Sequence, residues 1–357
     1  MTSRLAALRE LLPQNRLDAL LVSQPENRRY LSGFTGSAGF LLISRDAAIL
    51  ATDFRYVEQA QAEAPSFDIE RVAGPPEGWL PRLASQTGAR RIGFEQDHIT
   101  YAAYQEFVAA LKEGVTNTAL IASKGVIDGL RAIKDKGELA CLEKAAELAD
   151  AALDEIVPGI ETGMTEKELA WRLESHLRQN GSEPLPFEVI VASGPNAALP
   201  HAKPTDRPIA ASEPIVIDLG ARTHGYCSDI TRTCCLGEGD STFHRIYDIV
   251  LGAQLTAMET LQAGMTGEQV DQLARTVISE AGYGDAFGHG LGHGVGLAAH
   301  EEPRLGPGSP SVLADGMVFT LEPGIYISGW GGVRIEDTVV LEEGKVRPLT
   351  RARKVWR

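Results

Sequence analysis

A three-residue motif that occurs twice constrains the fold of this chain more than any other feature. Gly163-Met164-Thr165 recurs as Gly264-Met265-Thr266, and each threonine precedes a capping-box side chain, Glu168 or Gln269. Each motif therefore begins an amphipathic helix that ends at a glycine, and each helix leads to an acidic strand. The repeat predicts two similar half-domains that pack about a pseudo-two-fold axis.

The acidic strand after the first motif belongs to a predicted β-hairpin over residues 214–234. A turn centred between Thr223 and His224 places Asp218 opposite Asp229, with Cβ atoms about 5 Å apart. Two ionised carboxylates at that distance, among apolar neighbours, repel each other and lose hydration. They need a shared proton or a cation, so this pair indicates a metal site.

The second half-domain repeats this arrangement in a predicted hairpin over residues 317–341. With Gly329 at the centre of its turn, Glu322 faces Glu336. Four carboxylates that converge on one axis need about two divalent cations to offset their repulsion. Thr231, on the same strand face as the second acid of the first hairpin, either hydrogen-bonds a ligand or is an ordinary strand threonine.

Four of the eight histidines accompany these acids: His201, His289, His293 and His300. His289 and His293 lie in a segment with five glycines between residues 288 and 296, which makes a continuous helix there unfavourable. Glycines allow close approach of the backbone, so we expect the imidazoles to point into a confined site. The segment lacks the Lys-Ser/Thr pair of a phosphate-binding loop.

Residues 1–123 have a different pattern, in which helical stretches alternate with short apolar strands. This alternation predicts an α/β domain. The strands are expected at Ala19–Val22, Gly39–Ile43, Ala47–Thr52 and Arg91–Phe94. The pattern changes near residue 124, so residues 124–357 form a predicted second domain.

Composition excludes several functional classes. The net charge is −14, with no block of Lys and Arg, which argues against binding to nucleic acid or an anionic membrane. No apolar run approaches the roughly 20 residues that span a bilayer. The four cysteines form neither a CxxC motif nor a disulfide framework. We therefore expect a soluble, cytoplasmic protein with reduced thiols.

Several segments together resemble the creatinase/prolidase/aminopeptidase P family of pita-bread metallopeptidases, and the resemblance covers nearly the whole chain. It implies an α/β N-terminal domain (1–123) followed by an α+β pita-bread catalytic domain (124–357). The matching segments are Asp-Leu-Gly (218–220), Cys-Ser-Asp-Ile-Thr-Arg-Thr (227–233), Gly-His-Gly-Val-Gly (292–296), His-Glu (300–301), Leu-Glu-Pro-Gly (321–324), Gly-Val-Arg-Ile-Glu-Asp (332–337) and, in the N-terminal domain, Tyr-Leu-Ser-Gly-Phe-Thr-Gly-Ser (30–37) and Thr-Asp-Phe-Arg-Tyr (52–56).

The resemblance implies a ligand set for two metal ions. Asp229 and Glu336 would be shared by both ions, Asp218 would hold one ion, and His293 with Glu322 would hold the other. A carboxylate-rich set with one histidine favours Mn²⁺, Co²⁺ or Zn²⁺.

It also implies which residues line the substrate site, namely His201, His289, His300 and Arg334. Arg304 matches an arginine with which some prolidases hold the carboxylate of a dipeptide. Our hypothesis for catalysis assigns proton transfer to Glu322, in addition to metal ligation. His300 and His289 would stabilise the tetrahedral oxyanion and the leaving nitrogen.

The expected function is hydrolysis of the bond before proline in a small peptide with proline in second position. An Xaa-Pro dipeptidase (prolidase) is slightly favoured over an aminopeptidase P that acts on longer peptides. The N-terminal domain counts against a methionine aminopeptidase. The complete ligand set counts against a creatinase-type hydrolase and a non-catalytic binding module. The family also suggests a homodimer.

Overall fold

The chain divides into two units, Met1–Arg131 and Ala132–Arg357, in a computed structural model that describes residues 2–114 and 117–354. The described part does not include residues 1, 115, 116 and 355–357. Residues 1 and 355–357 are the outer ends of the two predicted domains, so the prediction at those ends lies outside the described residues.

The division follows Arg131, whereas the sequence predicts a boundary at residue 123. Residues between these positions pack on the first unit. Arg131 Nη1 donates a hydrogen bond to Asn27 Oδ1 (2.9 Å), and the Tyr30 hydroxyl donates to the carbonyl of Leu130 (3.1 Å). The change in sequence pattern coincides with the end of the last strand of the first unit, at Ser123. The contacts of Leu130 and Arg131 show that the unit continues beyond that strand.

The first unit is an α/β layer, as predicted. Its mixed sheet has the strand order β4-β3-β2-β1-β5-β6, in which β1 pairs parallel with β5 and antiparallel with β2. Strands β4 and β6, at the two sheet edges, were not predicted. Its elements are α1 (Thr2–Gln14), β1 (Ala19–Val22), α2 (Pro25–Ser32), β2 (Phe40–Ser44), β3 (Ala48–Thr52), α3 (Val57–Glu63), β4 (Asp68–Arg71), α4 (Leu80–Thr87), β5 (Arg91–Glu95), α5 (Tyr101–Glu113), β6 (Ala119–Ser123) and α6 (Asp128–Ala132).

The second unit contains two similar sets of helices and strands. Its elements are α7 (Lys136–Ile156), α8 (Glu166–Gln179), β7 (Ile190–Ser193), β8 (Pro214–Leu219), β9 (Arg222–Thr223), β10 (Tyr226–Cys227), β11 (Ile230–Cys235), α9 (Ser241–Thr260), α10 (Gly267–Glu280), β12 (Gly292–Gly294), β13 (Glu301–Leu305), β14 (Val318–Leu321), β15 (Gly324–Ile327), β16 (Gly331–Arg334), β17 (Asp337–Glu342) and β18 (Lys345–Pro348). The larger sheets have the orders β11-β8-β7 and β13-β12-β14-β17-β18.

The predicted repeat has matching backbone geometry in both halves. Thr165 and Thr266 each cap a helix with a complete capping box. The glycine two residues before each threonine has a positive φ, 93° at Gly163 and 89° at Gly264. Gly163 N donates to the carbonyl of Ile209, and Gly264 N donates in the same way to Leu313. Two half-domains therefore share one local design.

Each half-domain packs a helix pair on its sheet. In the second half, Ile246 and Val250 of α9 and Ala274 of α10 are fully buried in one cluster with Phe319 of β14 and Val339 of β17. Such apolar residues recur every three or four positions along α9, so one helix face is apolar. Burial of this face holds the strands that carry the acidic residues.

The register of the first hairpin differs from the prediction. Asp218 pairs with Thr231, not with Asp229. The turn is centred between His224 and Gly225, whose φ angles of 48° and 78° match the two central residues of a type I′ turn. Because the register moves by two positions, Asp218 and Asp229 remain on one face, as diagonal neighbours.

The register of the second hairpin is as predicted. Leu321 pairs with Asp337 on one side of an interruption, and Gly324 pairs with Arg334 on the other. Glu322 and Glu336 occupy opposite positions in that interruption, where neither belongs to a regular strand.

Candidate active site

All ten side chains that were predicted as metal ligands or substrate-site residues line one cavity of about 400 Å³ in the second unit. Apolar residues complete its wall, among them Phe187, Ile190, Pro200 and Leu305. The sequence-predicted residues in the lining are Asp218, Asp229, His293, Glu322, Glu336, His201, His289, His300, Arg304 and Arg334.

Three of the four acids lie where strands are interrupted. Asp229 lies between β10 and β11, Glu322 follows β14, and Glu336 precedes β17, while Asp218 lies within β8. An interruption of the ladder redirects a side chain and frees it from the regular alternation of a strand. The breaks therefore let residues from two hairpins face a common point.

Asp229, His293 and Glu336 form one group, in which one potential ligand atom from each residue lies within 4.8 Å of the others. His293 Nε2 is 3.4 Å from Glu322 Oε1 and 3.8 Å from Asp229 Oδ2. The other ring nitrogen of His293, Nδ1, lies 3.1 Å from the carbonyl of Gly294 and so carries the proton. This tautomer leaves the Nε2 lone pair directed at the acids.

Asp218 is placed differently from the other candidate ligands. Its Oδ2 accepts a hydrogen bond from Arg334 Nη2 at 2.7 Å, in an ion pair whose side chains are 13% and 4% exposed. Its Oδ1 is buried and has no hydrogen-bond partner among the described residues. A buried carboxylate oxygen without a partner is costly in free energy, and a cation in the cavity would satisfy it.

The electrostatics of the cluster also fit a cation. Burial, reinforced by neighbouring carboxylates, raises the pKa of both Asp229 and Glu336 well above the ordinary range. Burial raises the pKa of Glu322 and lowers that of His293. The raised pKa values disfavour the ionised carboxylates that a metal ligand requires, and a bound cation would reverse that penalty. The lowered pKa of His293 favours the neutral imidazole, which is the form that binds a metal.

Hydroxyl groups orient two of the carboxylates. Thr231 Oγ1 donates to Glu336 Oε2 at 2.6 Å, and Thr320 Oγ1 donates to Glu322 Oε1 at 3.2 Å. Of the two interpretations of Thr231, the structure therefore favours the hydrogen bond to a candidate ligand. The acceptor belongs to the opposite half-domain, which the spacing within one strand could not indicate.

Tyr326 is a site residue that sequence reasoning missed. Its hydroxyl accepts from Arg334 Nη1 (3.0 Å) and lies 2.9 Å from His289 Nε2. Because His289 Nδ1 faces the carbonyl of Gly290 at 2.8 Å, Nε2 is the acceptor and the tyrosine donates to it. Burial raises the pKa of Tyr326 to about 12, which keeps the phenol protonated. Tyr326 lies two residues along β15 from Gly324, which pairs with Arg334, so it shares a strand face with that position. This spacing was the signal in the sequence that could have found it.

The glycines of the histidine segment permit close approach of backbones, as predicted. A Cβ atom on Gly292 would collide with the carbonyl of Thr320, and one on Gly294 with the carbonyl of Glu302. Both glycines flank His293 in β12, which lies between β13 and β14. The small residues let β12 fit between its neighbours while His293 faces the cavity.

Among the sequence-predicted residues of the lining, the exposed ones are His300, His201 and Arg304. The ring of His300 contacts that of His293, with centroids 4.1 Å apart and planes tilted by 40°, and burial lowers its pKa. Arg334, by contrast, is buried and directs its guanidinium at Asp218, Thr231, Tyr326 and the carbonyl of Pro200.

Comparison with known proteins identifies the family. Residues 140–343 match Metallopeptidase family M24, and residues 4–133 match the Creatinase/Prolidase N-terminal domain. The chain belongs to metallopeptidase family M24. Its expected membership of the creatinase/prolidase/aminopeptidase P group is confirmed, and so is its nature as a metal-dependent peptidase.

Relatives of this M24 chain match it over nearly their full lengths. An Xaa-Pro dipeptidase from Pyrococcus horikoshii is 36% identical over 99% of this chain and 98% of its own. The structure of an Xaa-Pro dipeptidase from Bacillus anthracis is 40% identical, covers 99% of both chains and superimposes with a TM-score of 0.94. An X-Pro aminopeptidase from Thermotoga maritima is 37% identical, with a TM-score of 0.87 and coverage of 98% and 99%. These likenesses confirm the predicted pita-bread fold.

A membrane-spanning helix is not found among residues 2–114 and 117–354, because none of their helices is both long and apolar enough.

Proposed function

We propose that this M24 peptidase hydrolyses the bond before proline in Xaa-Pro substrates and that dipeptides are its preferred substrates. The observation that supports this most directly is that the candidate ligands, the histidines and Arg304 all line the same cavity. A volume of about 400 Å³ suits a small peptide. The resemblance to two Xaa-Pro dipeptidases over nearly the whole chain supports the same substrate class.

The candidate ligands would hold two divalent ions, with Mn²⁺, Co²⁺ and Zn²⁺ as the candidates. Carboxylate oxygens and one imidazole suit these metals. Asp218 Oδ1, which has no hydrogen-bond partner among the described residues, gives a second ion a ligand outside the group of Asp229, His293 and Glu336. When bound, such ions lower the pKa of water and polarise a peptide carbonyl. The proposed set is Asp218, Asp229, His293, Glu322 and Glu336.

The protein's own groups would move protons and hold the substrate. Glu322 accepts a proton from the attacking water and is held for this by Thr320. Burial lowers the pKa of His300 and His289, so both are neutral near pH 7. His300 stabilises the developing oxyanion or the leaving nitrogen through an N–H donor. His289 would take part in this only by releasing the carbonyl of Gly290, because its one N–H is held there and its Nε2 accepts from Tyr326. Tyr326, which hydrogen-bonds His289, fixes the direction of that ring.

Arg304 would decide between dipeptides and longer peptides. Its side chain lines the cavity and is exposed, so it can pair with the terminal carboxylate of a dipeptide. His201 would line the same region. The likeness to the Thermotoga maritima X-Pro aminopeptidase favours the alternative, an aminopeptidase P that accepts longer chains.

Three other functions fit less well. The domain matched at residues 4–133 argues against a methionine aminopeptidase. The complete set of candidate ligands argues against a creatinase-type hydrolase and a binding module. A homodimer and a cytoplasmic location stay predictions from the sequence.

The test compares hydrolysis of Leu-Pro, Leu-Ala and Leu-Pro-Ala by protein stripped of metal and then supplied with Mn²⁺, Co²⁺ or Zn²⁺. We expect activity only with metal, highest on Leu-Pro and absent on Leu-Ala. Asp229→Ala, which removes one proposed ligand, should lose both metal binding and turnover. Equal cleavage of Leu-Ala, or full activity with metals retained in Asp229→Ala, would contradict the proposal.

A further inference from the structure

The segment that carries His289 has few side chains of its own to hold it in place. It runs from Phe287 to β12 and alternates glycine with other residues, at Gly288, Gly290 and Gly292. Glycine gives a chain more conformational freedom than any other residue, so an unsupported segment would sample many backbone conformations. Something outside the segment must fix it if His289 is to point reproducibly into the cavity.

An ion pair on α10 provides that support. Arg275 binds Asp271 through Nε (2.6 Å) and Nη2 (2.9 Å), one helical turn apart. The same guanidinium donates to the carbonyl of Phe287 through Nη1 (2.8 Å) and to that of His289 through Nη2 (2.7 Å). Asp271 Oδ1 also accepts from the backbone N–H of Leu291 at 3.0 Å. The pair thus holds the backbone on both sides of His289.

Ring contacts add to these hydrogen bonds. The guanidinium of Arg275 lies over the ring of Phe287, 4.2 Å from its centroid. That ring meets His289 edge to face, with centroids 5.0 Å apart. Asp271 is only 2% exposed and Arg275 19%, so water does little to weaken these interactions. The contacts extend from a helix to an imidazole that lines the cavity.

The repeat shows that this arrangement is not a general feature of the half-domain. Thr165 and Thr266 are equivalent helix caps. Counting from them, the first half has Ala170 where the second has Asp271, and Glu174 where the second has Arg275. The helix of the first half is followed by no glycine-rich histidine segment. The ion pair and the segment it holds therefore occur together in one half only.

We infer that Asp271 and Arg275 are positioning residues for His289, and that through it they set the efficiency of Xaa-Pro hydrolysis. This inference depends on the proposed function for its kinetic test. The orientation of His289 can also be followed without any substrate.

The kinetic test is a double-mutant cycle between Arg275 and His289. Arg275→Met should lower kcat/KM on Leu-Pro by about 10- to 100-fold, the size of effect that follows loss of a residue that orients an active-site side chain. In a His289→Ala background the same change should have less than about a 2-fold effect, because its target is gone. Equal losses in both backgrounds would show general structural damage and overturn the inference.

Arg275→Lys separates loss of the backbone hydrogen bonds from loss of folding. Lysine keeps the charge beside Asp271 but lacks the planar fork that reaches both backbone carbonyls. We expect this variant to fold and still to lose much of the kcat/KM that Arg275→Met loses. Full activity in Arg275→Lys would contradict a role for the fork. Arg347→Met, which removes two partly exposed ion pairs of β18 outside the cavity, is the matched control and should leave kcat/KM unchanged.

The substrate-free test uses NMR of histidine-labelled, metal-free protein. The ring signal of His289 is assigned by its absence in His289→Ala. It should shift or broaden in Arg275→Met and Asp271→Asn but not in Arg347→Met. An unchanged His289 signal in both α10 variants would overturn the inference whatever the substrate. Failure of the wild type to cleave Leu-Pro would instead contradict the proposed function alone.

Discussion

Arg334 donates to one carboxylate oxygen of Asp218 at 2.7 Å, while the other oxygen of Asp218 is buried without a partner among the described residues. The arginine is 4% exposed and the aspartate 13%, so the pair is nearly excluded from water. Arg334 offsets the charge of Asp218 and fixes its direction. The free oxygen remains available to a cation.

Removal of Arg334 should therefore destabilise the metal-free protein. Arg334→Met leaves the Asp218 carboxylate buried without its counter-charge, which typically costs about 3–5 kcal/mol. We expect urea denaturation to show a loss of that size, partly restored by added Mn²⁺. Arg347→Met removes a residue whose ion-pair partners, Glu342 and Glu143, are 40% and 42% exposed, and it should cost about 1 kcal/mol or less. Similar losses in the two variants would argue against a buried ion pair at Asp218.

The metal-free protein should have an unusual pH dependence at Asp229. Burial and the carboxylates of Glu336, Asp218 and Glu322 raise the pKa of Asp229 well above the ordinary range. The folded state therefore holds a proton that the unfolded chain releases. The stability from this group is present below an ordinary pKa of about 3.9 and is lost as the pH rises toward the raised value.

Asp229→Asn isolates this effect because it removes the titration. The free energy of unfolding of the variant, relative to wild type, should increase with pH above about 4 when both are metal free. Urea denaturation across that range measures it, with the exposed Asp206→Asn as control. Saturating metal should reverse the order of stability at neutral pH. A difference that stays constant with pH would contradict the raised pKa.

His300 should contribute to turnover and not to folding. Its ring is exposed in the cavity lining and contacts the ring of His293. His300→Ala should lower kcat on Leu-Pro by about 10²–10⁴-fold, the usual effect of losing a general acid or a proton donor. His244→Ala removes an exposed histidine outside the cavity lining and should leave kcat unchanged. An unchanged kcat in His300→Ala would exclude it from the reaction.

Arg304 should affect dipeptides more than tripeptides. A hydrogen bond to a charged group contributes about 1.5–3 kcal/mol, so Arg304→Ala should raise KM for Leu-Pro by about 10-fold or more. KM for Leu-Pro-Ala should change little, because its carboxylate lies one residue further away. Steady-state kinetics on both peptides measure the ratio. Equal changes would favour an aminopeptidase P.

Prediction from sequence succeeded where the signal is local. The capping boxes at Thr165 and Thr266 and the turn at Gly329 depend on residues close to one another in the chain. The predicted register of the first hairpin was wrong although its signal is also local, because Thr223-His224 and His224-Gly225 both make acceptable turn centres. Only the left-handed φ angles of His224 and Gly225 decide between them. The face of each acid survived this error because the side-chain period of a strand is two.

The sequence by itself determined the repeat, the residue types of the site and the faces they occupy, since helix and strand periodicity are written in neighbouring residues. Tertiary structure alone decided which groups meet across the halves: Thr231 with Glu336, and Arg334 with Asp218. It also decided that Arg275 would hold the backbone of His289. These partners lie on different elements, so their contact depends on how helices and sheets pack.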